Sequence, residues 1–80
     1  GGRNDWLISV VAGEQLTMTI SASRQKTEMG FIMDASGRNV KQFSVWLNPG
    51  INNVTTGIGN LPAGTYTVRL LTNSLQFVKW

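Results

Sequence analysis

The sequence predicts an all-β domain, a seven-stranded antiparallel β-sandwich of immunoglobulin-like type. Three observations carry that prediction. The dominant hydrophobic period is two, as a half-buried strand requires. Turn-forming residues recur roughly every ten residues, the spacing of short sandwich strands. No comparable stretch shows the i, i+3, i+4, i+7 pattern of an amphipathic helix free of Gly and Pro.

The first predicted strand, Asp5 to Val11, is apolar on both faces and reads as a covered strand. Ala12-Gly13-Glu14 turns the chain. Leu16, Met18 and Ile20 then alternate with Thr17, Thr19 and Ser21. After the polar loop Ser23 to Thr27, Glu28 to Asp34 carries Met29, Phe31 and Met33 on one face and Gly30 and Ile32 on the other. Asp34 to Arg38 reads as a tight hairpin turn, with Gly37 free to take positive φ and the Asp34 carboxylate able to accept backbone N–H bonds. Phe43, Val45 and Leu47 alternate with Gln42, Ser44 and Trp46. Asn48-Pro49-Gly50 is a turn in which Pro49 sets φ and Gly50 supplies the left-handed position. Asn52 to Ile58 is the fifth strand. Pro62-Ala63-Gly64 is read as a second turn of the Pro-Gly kind. Tyr66, Val68 and Leu70 alternate with Thr65, Thr67 and Arg69, and Tyr66 is expected to be buried with its hydroxyl near the surface, as in a tyrosine corner. Thr72-Asn73-Ser74 is the last predicted turn, before Leu75 to Trp80.

Eighty residues make a single domain, 1–80. Charged residues are only 14% of the chain, so much of its surface is Thr, Ser, Asn, Gln and Gly. The net charge of +3 comes from scattered cations: Arg3, Arg24, Lys26, Arg38, Lys41, Arg69 and Lys79. They form no run of the kind that binds nucleic acid or a membrane surface. There is no cysteine, hence no disulfide. No apolar stretch approaches the roughly 20 residues of a transmembrane helix. The lack of disulfides fits a bacterial export product or a piece of a larger protein, and the chain, opening Gly1-Gly2 with no visible signal peptide, reads as an excised fragment.

The residues that usually do chemistry are scarce. There is no histidine, and with no cysteine the usual zinc, copper and haem ligands are missing. The carboxylates Asp5, Glu14, Glu28 and Asp34 sit at turns and strand ends of different segments, which suits solvated turn formers rather than a glycosidase pair. No calcium-binding cluster is visible. Gly57-Ile58-Gly59 precedes no helix and so is no phosphate cradle. Asn53-Val54-Thr55 matches a glycosylation sequon that carries little weight. The expectation is a non-catalytic protein with no cofactor and no metal. Trp46, opposite the Phe43/Val45/Leu47 face, is the candidate platform for a sugar ring.

Four segments, in order, now form a pattern. Leu16 to Ile20 alternates. Asp34-Ala35-Ser36-Gly37-Arg38-Asn39-Val40 gives Asp-x-x-Gly-Arg-x-Val. Leu47-Asn48-Pro49-Gly50-Ile51-Asn52 gives Leu-x-x-Gly-x-Asn, and Leu61-Pro62-Ala63-Gly64-Thr65-Tyr66-Thr67-Val68-Arg69 gives Leu-Pro-Ala-Gly-x-Tyr-x-Val-Arg. From Leu16 to Trp80 the chain resembles the type A C-terminal sorting domain of the type IX secretion system of the Bacteroidetes. Residues 1–14 depart from it, reading Val11-Ala12-Gly13-Glu14 where the family usually has Pro-Asn-Pro. The chain also ends Lys79-Trp80 where the family usually ends in Lys.

The resemblance implies a secretion signal that carries a cargo across the outer membrane. It implies three partners: the outer-membrane translocon, a shuttle protein and a sortase-like peptidase. It implies passage through the periplasm to the cell surface or the medium. The motif residues would be Asp34, Gly37, Arg38, Gly50, Asn52, Pro62, Gly64 and Tyr66. The last strand, with Leu75, Phe77, Val78 and Lys79, would be the element that partners recognise. Exposed edges would also allow weak self-association. The alternative reading is an immunoglobulin- or fibronectin-like accessory module of a secreted glycoside hydrolase or adhesin, binding carbohydrate through Trp46.

Overall fold

The computed structural model describes residues 5–80; Gly1, Gly2 and Arg3 of the sequence reading lie outside them. Seven strands follow one another: β1 (Trp6–Ala12), β2 (Gln15–Ala22), β3 (Lys26–Met33), β4 (Asn39–Leu47), β5 (Gly50–Gly57), β6 (Gly64–Leu70) and β7 (Asn73–Lys79). They form two antiparallel sheets, of order β1-β2-β5 and β4-β3-β6-β7. The all-β sandwich is therefore shown. The chain crosses between sheets three times, after β2, after β4 and after β5. A constant-type immunoglobulin sandwich groups its fourth strand with the first, second and fifth. Here β4 pairs with β3 in the larger sheet, so the immunoglobulin-like label does not follow from this order.

Alternation places the core. Leu16, Met18 and Ile20 of β2 are fully buried and face Ile32, Val45, Leu47, Val68 and Leu70 of the larger sheet. Each such side chain contributes about 1.5–3 kcal/mol relative to exposure. Ile58 and Leu61, in the connection from β5 to β6, are buried too and close one end of the core. On β3 the core face is Gly30 and Ile32, which leaves Met29, Phe31 and Met33 facing outward.

Gly30 is buried opposite Phe43. A Cβ added at Gly30 would meet the Phe43 ring, so the glycine is a slot for the aromatic across the ladder. Two bulges shape the sheets. One leaves Ile8 without a partner between Leu7↔Ile20 and Ser9↔Thr19. The other leaves Val40 unpaired between Ile32↔Lys41 and Met33↔Asn39.

Three details differ from the expectations. β1 is not a covered strand: it is a sheet edge, with Trp6 and Val11 53% and 68% exposed. Its apolar run on both faces comes from the bulge at Ile8, which shifts the inward positions from Leu7 to Val10 and Ala12. The last turn is Leu71-Thr72, because Asn73 already pairs with Leu70. Gly64, at φ 159°, is nearly extended, whereas Gly37 and Gly50 take φ 87° and 102°. Only the latter pair need glycine's freedom.

Candidate functional site

The three motif segments fold as corners, each built from its own residues. In the β3–β4 turn, Asp34 Oδ1 accepts the Ser36 N–H at 3.0 Å, the Ser36 hydroxyl at 2.6 Å and the Arg38 N–H at 3.0 Å. The Ser36 hydroxyl and then the Arg38 N–H hold the Asp34 carboxyl below its ordinary value. The Arg38 guanidinium lies 3.4 Å from the same carboxylate but is 79% exposed, where an ion pair contributes little.

Asn52 clamps the β4–β5 connection. Its Oδ1 accepts the Asn48 N–H at 2.9 Å, and its amide donates to Asn48 O at 2.9 Å. Further amide contacts reach Gly50 O at 3.3 Å and Ile20 O on β2 at 3.4 Å. At the third corner the Tyr66 hydroxyl donates to Pro62 O, four residues back, while its ring is buried. That is the tyrosine-corner geometry.

β7 is an edge of the larger sheet, paired only with β6. Phe77 is buried and stacks on Tyr66, with ring centroids 5.6 Å apart. Leu75 is half-buried against the core. These two hold the strand down, so the accessible part of the proposed recognition strand is Val78, at 46% exposure, with half-buried Lys79 and then Trp80 at 94%. An open groove of about 860 Å³ runs beside them, lined by Gly13, Glu14, Thr17, Gly57 and Gly59 together with Val78, Lys79 and Trp80.

The carboxylates do not converge on a reacting centre. Asp5 corrects the reading of all four as solvated: it is 6% exposed. Its carboxylate accepts Lys26 Nζ at 2.6 Å and the Ser23 N–H at 2.6 Å, which lowers its pKa from 3.8 to about 2. Lys26, and secondarily Ser23, cause that shift. Glu28 lies 3.8 Å from the same lysine. Asp34 is spent on its turn, and Glu14 sits at the β1–β2 turn. Among the described residues no group of three or more His, Cys, Asp or Glu could hold a metal ion. No helix among them is long and apolar enough to cross a membrane.

Sequence reasoning missed a second tie at the end of the sandwich that Asp5 occupies. The Asn73 side chain receives the Leu7 N–H and donates to Leu7 O, each at 2.8 Å, and the Thr72 hydroxyl donates to Asp5 O at 3.3 Å. This satisfies edge-strand backbone of β1 from the other sheet. Trp46 is 57% exposed on the outer face of β4, opposite Thr27. Trp6 lies on the other sheet and Trp80 at the chain end, so the tryptophans do not assemble one platform.

Comparison of the chain with protein-family models, curated proteins and solved structures gave no significant match.

Proposed function

We propose that the chain is a non-catalytic C-terminal sorting domain that directs an attached cargo across the outer membrane by the type IX system. One observation carries the reading. The ordered motifs Asp34-x-x-Gly37-Arg38, Leu47-x-x-Gly50-x-Asn52 and Pro62-Ala63-Gly64-x-Tyr66 each build a self-contained corner. Motifs that fix a fold, with no reacting centre beside them, suit a domain whose output is its displayed surface.

On this reading the translocon, the shuttle protein and the sortase-like peptidase meet the folded domain in the periplasm, and it ends at the surface or in the medium. The terminal strand is read through Val78 and Lys79, since Leu75 and Phe77 serve the core. Lys79 shares the core-side register of Leu75 and Phe77. An inward-leaning lysine at an edge opposes indiscriminate strand addition, which favours side-chain recognition over self-association.

Removing Leu75 to Trp80 would uncover Tyr66, so loss of export in that deletion would report unfolding. The test uses Val78→Asp and Lys79→Glu in a reporter fusion, with thermal unfolding measured in parallel. Export should fall while the melting temperature stays within a few degrees. Unimpaired export of both variants would refute recognition through this strand.

A second reading keeps the immunoglobulin- or fibronectin-like accessory module. It is favoured by the exposed indole of Trp46, because a flat aromatic face stacks on sugar rings. Quenching of tryptophan emission by added polysaccharide, lost in Trp46→Ala, would support it.

A further inference from the structure

We propose that the outer face of β3 docks an acidic peptide segment that presents apolar side chains. This inference does not rest on the sorting reading, although the surface borders two of the motifs through Gly37 and Arg69.

Met29, Phe31 and Met33 occupy successive outward positions of one strand. The core does not require them, because β3 packs inward through Gly30 and Ile32. Yet Met29 is 43% exposed, and Phe31 and Met33 are half-buried. They line an open groove of about 550 Å³ together with Gly37, Asn39, Arg69 and Leu71. At about 3.3 Å rise per residue the apolar stripe runs roughly 13 Å, enough for a few residues of a bound segment.

The composition is that of an interface centre. Such centres are enriched in Met, aromatic residues and Arg, and depleted in Lys, Glu and Asp. The outward positions here include Met29, Phe31 and Met33, with Trp46 at the margin and Arg69 on β6, and no acidic residue of β3, β4, β6 or β7 lies among them. Methionines repack around different side chains, a property of surfaces that bind peptides.

Charge selects the occupant. Arg69 is the direct cross-strand neighbour of Phe31 and also lines the groove. It forms no ion pair among the described residues, unlike Lys26 and Arg38. A carboxylate beside an apolar side chain satisfies both. A second copy of this chain would offer Arg69 no carboxylate from this face, so self-association would leave that charge unmet. The mode is also constrained. β3 is hydrogen-bonded to β4 on one side and β6 on the other, so its backbone is occupied and side chains must do the binding. Leu71, at the groove's rim, holds φ 59° because it opens the two-residue turn between β6 and β7.

The test titrates two short synthetic peptides, one of alternating Leu and Glu and one of alternating Leu and Lys, into isotope-labelled protein followed by NMR. Laurate is titrated separately. The acidic peptide should shift amides of β3 and β6 and bind at least about ten-fold tighter than the basic one. Arg69→Glu should reverse that preference, Arg69→Gln should abolish it, and Met29→Thr should weaken the acidic peptide, all with unchanged circular dichroism. Equal affinities, shifts confined to β1, β2 and β5, or binding of laurate but neither peptide would overturn the proposal. So would shifts on this face that grow with protein concentration alone, which would assign it to self-association.

Discussion

The three motif corners and the tie at the start of β1 do the same job by different means. Each corner is closed by residues at most four positions apart, as between Asp34 and Arg38, Asn48 and Asn52, or Pro62 and Tyr66. The tie joins residues 18 to 67 positions apart, as Asp5 meets Ser23 and Lys26, Asn73 meets Leu7 and Thr72 meets Asp5. The corners direct the chain locally. The tie fastens one sheet to the other where β1 would otherwise present a bare edge. Long-range ties lose their function when packing loosens, whereas a local corner survives partial opening, so the two should respond differently to substitution.

The largest effect is expected at the other long-range feature, the slot at Gly30. Gly30→Val forces Phe43 out of its seat and should cost about 1–3 kcal/mol, the usual range for overpacking. Chemical denaturation reads it directly, and a stability equal to the parent's would mean that the ring moves freely. Asn73→Ala leaves the Leu7 N–H and C=O without their partner across the sheets. It should cost about 2 kcal/mol, with faster hydrogen exchange confined to β1 and its neighbours. Tyr66→Phe removes only the hydroxyl bond to Pro62 O and keeps the ring, so about 1 kcal/mol is expected. If that substitution proved more damaging than Asn73→Ala, the contrast between corner and tie would fail.

Acid sharpens the comparison. The folded-state pKa of Asp5 is lowered from 3.8 to about 2. Its contribution is therefore complete above pH 3.8 and is lost as pH falls through about 2. Asp34, also lowered, adds to the same acid limb. Melting temperature should fall across that window, and Asp5→Asn should flatten part of the fall. An unchanged acid limb in that variant would remove the Asp5–Lys26 pair from the account.

The same division explains what the sequence revealed. Period-two alternation placed β2, β3, β4 and β6, because each has one face in the core, and the turn residues between them delimited β1, β5 and β7. The turn at Asp34 to Arg38, the clamp region before Asn52 and the Tyr66 corner were legible because their partners are neighbours in sequence. The covered β1 was misread because a bulge at Ile8 imitates burial on both faces. The Asp5–Lys26 pair, the Asn73 bridge and the Phe43 seat on Gly30 were not legible. Each depends on which strands become neighbours, and nothing local announces that. Gly30 inside an otherwise apolar strand was the available hint. β7 was legible as an element, but which of its side chains stay accessible was not: Phe77 and Val78 are adjacent in sequence and face opposite ways.

The most direct test of the central claim is export of a fluorescent reporter carrying a Sec signal peptide and this domain at its C-terminus, in a Bacteroidetes host. Reporter is expected on the cell surface or in the medium, and in the periplasm when the translocon is deleted. Reporter held in the periplasm of the intact host, while the domain remains folded, would contradict a sorting role and leave the accessory module as the better reading.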